Sequence, residues 1–109
     1  DAKRGLELEP TDAISWVARG RARLNRVPPD APGAHADFEA AVAADPLLVS
    51  AWENLAEVRA GYLNRPVEAL AALDRVLELA PNATGQRAGR AVVRARLGRT
   101  DAARADAEL

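Results

Sequence analysis

A phrase ending in proline returns along the chain at an almost constant step. LELEP closes at Pro10, AAVAADP at Pro46 and VLELAP at Pro81, steps of 36 and 35 residues. Six positions after the first two prolines stands a tryptophan, Trp16 and Trp52, and Arg87 takes that place after the third. Each stretch then carries Leu-[Asn/Gly]-Arg, at Leu24-Asn25-Arg26, Leu63-Asn64-Arg65 and Leu97-Gly98-Arg99. A period in the mid-thirties with fixed punctuation marks stacked supersecondary units, none of which can hide its apolar face alone. The chain therefore has to set like parts side by side.

Each part reads as two helices. The first runs from about Asp12 to Leu24, with Asn25 expected as a left-handed C-terminal cap and Asn64 and Gly98 in the same role later. A second helix is expected from near Ala31, its apolar face built on Ala34, Phe38, Ala41 and Val42. Pro66 suits a first helical turn, where its missing N–H is no loss, ahead of Ala69, Leu70, Leu73, Val76 and Leu77. Prolines 10, 46 and 81 stop the second helices, so the recurring phrase is a helix ending. The 26 alanines and 4% aromatic residues favour helix over strand and demand a core of small side chains. Gly20, Ala56 and Ala91 are expected to face Ala34, Ala69 and Ala103 across closely approaching helices.

These residues resemble the tetratricopeptide repeat family, whose pattern is Trp-x2-Leu-Gly-x2-Tyr, then Ala-x3-Phe, then Pro, over about 34 residues. The stretch 13–46 keeps Trp16, Gly20, Ala34, Phe38 and Pro46 but puts Arg19 and Arg23 at the Leu and Tyr places. The stretch 49–81 keeps Trp52, Leu55, Ala69 and Pro81, with Ala56, Arg59 and Leu73 as substitutes. From 84 onward Ala103 remains, beside Arg87, Arg90, Ala91, Arg94 and Ala107. The resemblance implies a single all-α domain over 1–109, an alpha-alpha superhelix of antiparallel helix pairs. Residues 1–10 would end a preceding repeat, 13–46 and 49–81 would be full repeats, and 84–109 a truncated one. Trp16 and Trp52 would fill space between neighbouring units. The Asp1 start suggests a piece of a longer protein, and fourteen Arg against one Lys suggests a bacterial one.

The chemistry on offer is narrow. Fifteen basic and sixteen acidic residues leave a net charge of −1, so no global field recruits nucleic acid or an anionic membrane. Nor does any apolar run approach the roughly 18 residues of a membrane span, and a cytoplasmic setting is expected. Without cysteine there is neither disulfide nor thiol chemistry. His35 stands alone, with Ser15 and Ser50 on other helices, and is expected to be solvated. Asp37 with Glu39, and Asp74 with Glu78, read as solvent-facing pairs. NATGQRAGR lacks the Lys-Ser/Thr ending of a phosphate loop. The expectation is a protein with no enzyme activity, no metal and no cofactor.

A binding surface remains. The resemblance implies that first helices line a concave groove that takes a peptide or partner helix. By position this nominates Val17, Arg21 and Leu24, then Ser50, Glu53, Asn54 and Glu57, then Val92 and Arg96, flanked by Ile14, Ala18, Ala60, Ala88, Gly89 and Ala95. Asn54 stands where some members hold a peptide backbone, but Val17, Ala18, Gly85 and Gly89 replace the partners of a carboxylate clamp. Arginine crowds 19–26 and 87–99 with acids between them, which suggests salt bridges between units. The segment 25–35, with three prolines, is expected to protrude as a stiff loop. A non-catalytic protein-binding scaffold is the first expectation. A structural spacer or self-association module inside a larger signalling protein, stacking on other copies through open ends, is the alternative.

Overall fold

The computed structural model describes residues 10–108, with side chains through Gly98, and among these residues it is helical with no strand. The elements are α1 (Ala13–Leu24), α2 (Ala31–Ala44), α3 (Val49–Glu57), a π-helical turn (Val58–Tyr62) that prolongs α3, α4 (Pro66–Leu79) and α5 (Thr84–Glu108). The expected end of a preceding repeat at 1–10 lies, apart from Pro10, outside the described residues.

Helix starts follow local chemistry. The Asp12 carboxylate accepts the Ser15 N–H at 2.8 Å, and the Asp30 carboxylate accepts the Gly33 N–H at 3.0 Å. Each thereby satisfies one of the donors that a helix start leaves free. A Cβ at position 33 would crowd the Asp30 carboxylate, which would have to shift to keep the cap. Pro66 opens α4 in the position where proline is tolerated.

Helix ends depart from expectation in two of three places. Asn64 is left-handed at φ 52°, and the Arg65 N–H reaches back to the Arg59 carbonyl at 2.7 Å. Asn25 is not left-handed: it keeps right-handed geometry at φ −82°. The long loop makes that cap unnecessary, since the Asp30 N–H returns to the Arg23 carbonyl at 2.9 Å. Gly98 does not end a helix either, for α5 runs on without a break to Glu108. The first two breaks are followed by prolines, at 28, 29 and 66, whereas RTDAARADAEL has none. A lone interior Gly costs only about 1 kcal/mol relative to Ala, too little to stop an Ala-rich helix. The expected closing pair therefore does not form, and Ala91, expected to face Ala103, is exposed. The side chain of Ala103 lies outside the described residues.

Contacts fix how the helices lie. Arg23 reaches Gly33 while Arg19 reaches Asp37, so α1 and α2 run antiparallel. Arg59 reaches the Glu68 carbonyl and Arg75 lies over Trp52, so α4 runs antiparallel to the α3 and π segment. Arg90 ties α5 to Asp74 of α4. Arg21 of α1 meets Glu57 of α3, 36 positions on, in parallel alignment. Buried Leu24, Ala34, Phe38, Leu55, Ala56, Val58, Leu73 and Val93 form one core, with Trp52 and Leu97 partly buried on it. Ala13, Ala41 and Ala51 form a smaller one under Trp16.

Two sequence expectations about polar residues are overturned. Asp37 is 1% exposed, not solvated. Its carboxylate receives Arg19 through Nη2 at 2.8 Å and Nε at 3.1 Å, and Arg23 through Nη1 at 3.2 Å. Two cations on the buried side of α1 require an anion from the facing helix, and Asp37 is that anion. His35 is likewise buried, at 8% exposure. Its Nε2 accepts from Arg59 Nε at 3.1 Å while Nδ1 lies 3.3 Å from Glu39.

Candidate functional site

The polar groups nominated for a groove separate into those the fold consumes and those it leaves open. Leu24 is buried in the core and offers no surface, and Val17 is half-buried against both clusters. Arg21 donates to Glu57 at 2.5 Å and to Asn54 Oδ1 at 3.3 Å, while the Asn54 amide donates to the Ser50 carbonyl at 2.7 Å. Asn54 is thus engaged at both ends of its amide. Val92 is 59% exposed but turned away from the hollow that its neighbour Val93 lines. Arg96 donates to the Ala60 carbonyl at 3.5 Å, bridging α5 to the π segment.

That hollow is the functional candidate. It is a cleft of about 210 Å³ between α3 with its π extension and α5. Glu53, Ala56, Glu57 and Ala60 form one wall, Gly85, Gln86 and Gly89 the other, and Leu73 and Val93 the floor. A Cβ built on Gly85 or Gly89 would meet nothing within 4 Å. Of these lining residues the register nominated Glu53, Glu57, Ala60 and Gly89 for the groove, but not Ala56, Leu73, Gly85, Gln86 or Val93. Their signal was available: two glycines four apart in an otherwise Ala- and Arg-rich helix leave a bare strip beside whatever apolar side chains lie below.

The cleft's electrostatics are set by which acids already have partners. Asp12, Asp30, Asp37, Glu39, Asp45, Glu57, Glu68, Asp74 and Glu78 each have a hydrogen bond or ion pair. Glu53, half-buried on the cleft wall, is the one carboxylate among the described side chains with none. A second hollow, about 390 Å³ and lined by Asp74, Leu77, Glu78, Pro81, Arg87 and Arg90, differs in this respect. Its charges are spent internally: Arg90 on Asp74, Arg87 on the Pro81 carbonyl, Glu78 on Arg75.

Elsewhere the titratable groups serve structure. Burial pushes the His35 imidazole below its ordinary value, with Arg59 and Arg65 adding to the effect and Glu39 and Glu68 opposing it. The Asp12 carboxyl is held low by the backbone hydrogen bond from Ser15. Among the described residues no group of three or more His, Cys, Asp or Glu side chains is placed to hold a metal ion. No described helix is long and apolar enough to cross a membrane. No family model and no curated protein sequence matches the chain.

Proposed function

We propose that the chain is a non-catalytic protein-binding scaffold of tetratricopeptide-like helix pairs, and that it holds a partner peptide in the cleft between α3 and α5. The single observation that carries this reading is the cleft itself: an open, apolar-floored channel with bare glycine on one wall and an unsatisfied carboxylate on the other. At about 210 Å³ it falls below the roughly 300 to 1,000 Å³ of small-molecule sites and suits a side chain presented by a polypeptide. The parallel meeting of Arg21 and Glu57 across one repeat step supports the solenoid reading of the fold. Rigid helices would lose little freedom on binding, leaving the ordering cost to the peptide.

Selection of peptides from a random display library on the immobilised chain tests the reading. Gly89→Leu fills the cleft, so selected peptides should be lost from that variant. Undiminished capture by Gly89→Leu, with the variant folded by circular dichroism, refutes the cleft as the site.

A second reading, self-association, is favoured by one observation. α5 exposes Ala91 and Val92 on a helix that runs unbroken to Glu108. Sedimentation equilibrium would reveal concentration-dependent dimers, and Val92→Glu should abolish them.

A further inference from the structure

We propose that the cleft is a receptor for one long basic side chain, lysine or arginine, of the partner polypeptide; this rests on the cleft being the binding site. Such a side chain has an aliphatic stem and a charged head, and it is most stable where the stem lies on apolar surface and the head reaches polar surroundings. The cleft offers both in the right order. Leu73 and Val93 form an apolar floor, and Gly85 and Gly89 leave the wall beside it free of any Cβ. On the α3 wall stands Glu53, whose carboxylate has no partner among the described residues.

Charge also favours a cation in this cleft. One turn beyond Glu53, the carboxylate of Glu57 is already answered by Arg21 at 2.5 Å. Glu53 is left to draw a partner cation and would repel an acidic side chain, so the cleft discriminates by repulsion as well as attraction. On the wall opposite Glu53, the Gln86 amide can both donate to and accept from a peptide backbone.

Peptides selected on the whole chain provide the probe. Those lost from Gly89→Leu should share a Lys or Arg at one position. Their affinity should fall about tenfold or more with Glu53→Gln, a change in the range set by removing one partner of a charge pair. Glu78→Gln, at the other hollow, should leave it unchanged. Exchanging charges, Glu53→Lys against the same peptide with Glu in place of its basic residue, should recover most of the loss. Peptides that depend on Gly89 but lack a shared basic residue, or that bind Glu53→Gln as well as the parent, overturn the basic-side-chain proposal while leaving the cleft as the site. Peptides that bind Gly89→Leu undiminished, or a library that yields no binder, overturn the cleft reading and this proposal together.

Discussion

Gly20 lies so close to the ring of Phe38 that a Cβ at position 20 would sit 2.4 Å from its Cε1. Phe38 is fully buried and has no room to retreat. Two effects oppose each other when Gly20 becomes alanine. Helix propensity favours Ala by up to about 1 kcal/mol, whereas overpacking a tight core costs roughly 1 to 3 kcal/mol. The steric term wins here, and Gly20→Ala should lower stability by about 1 to 2 kcal/mol in denaturant unfolding. Gly98 is the control, since it lies inside α5 with nothing within 4 Å of a built Cβ. Gly98→Ala should raise stability by a few tenths to about 1 kcal/mol. Equal shifts in the two variants would contradict the close contact of α1 with α2.

The Asp37 site predicts a pattern of loss and recovery. Asp37→Asn leaves Arg19 and Arg23 facing each other without their anion, and should cost about 3 kcal/mol. The next stretch solves the same packing problem without a buried carboxylate, placing Leu55 where the first has Arg19 and Ala72 where it has Asp37, while Arg59, at the Arg23 place, turns to the Glu68 carbonyl. Leu55 and Ala72 are both buried. Copying that solution, Arg19→Leu with Asp37→Ala should therefore be more stable than Asp37→Asn alone, by denaturant unfolding. If the double variant is the less stable, the ion cluster does more than satisfy its own buried charges.

Histidine 35 makes the fold acid-sensitive in a definite direction. Because the Nε2 atom accepts from Arg59, the neutral ring carries its proton on Nδ1, toward Glu39. Burial lowers its folded pKa below the ordinary 6.5, so over the window between the two values the unfolded chain binds more protons than the folded one. Stability is then complete above about pH 6.5 and falls as the pH drops through the folded value. Glu39 and Glu68 moderate the fall, and Arg59 and Arg65 deepen it. Melting temperature measured from about pH 7.5 to 5 should decline for the parent chain and stay flatter for His35→Gln, in which the amide can replace both hydrogen bonds.

The boundaries that were legible in the sequence are those where backbone chemistry leaves no choice. Pro66 opens α4, and Pro46 and Pro81 follow the ends of α2 and α4, whereas the caps Asp12 and Asp30 emerge only with the structure. What escaped was decided by tertiary partners. Asp37 reads as solvent-facing in isolation. Only the cations at Arg19 and Arg23, four apart on the face that should be apolar, hint that the opposite helix owes them a buried carboxylate. Leu97-Gly98-Arg99 matches the two earlier turns in letters, but a glycine permits a turn without forcing one, and the prolines that force the others are missing. The cleft was half legible. Its α3 wall follows from register, but Val93 rather than Val92 turns inward, a rotation of about 100° that spacing alone does not fix.

The indole of Trp52 donates to the Pro46 carbonyl at 2.8 Å, and the Arg87 guanidinium, at the same step after the next recurring proline, donates to the Pro81 carbonyl. Two unlike side chains thus close the same turn. Trp52→Phe keeps the ring under Arg75 but loses the donor, and should cost about 1 kcal/mol. Arg87→Met should cost a similar amount or less, because this bond is exposed. The informative variant is Arg87→Trp: if the register position fixes the bond, the indole N–H takes over from the guanidinium and stability stays at or above that of the parent. Amide hydrogen exchange at residues 82–86 reads the same event locally, with protection lost in Arg87→Met and kept in Arg87→Trp. Loss of protection in both would mean that Arg87 holds its turn through charge and not through the position it shares with Trp52.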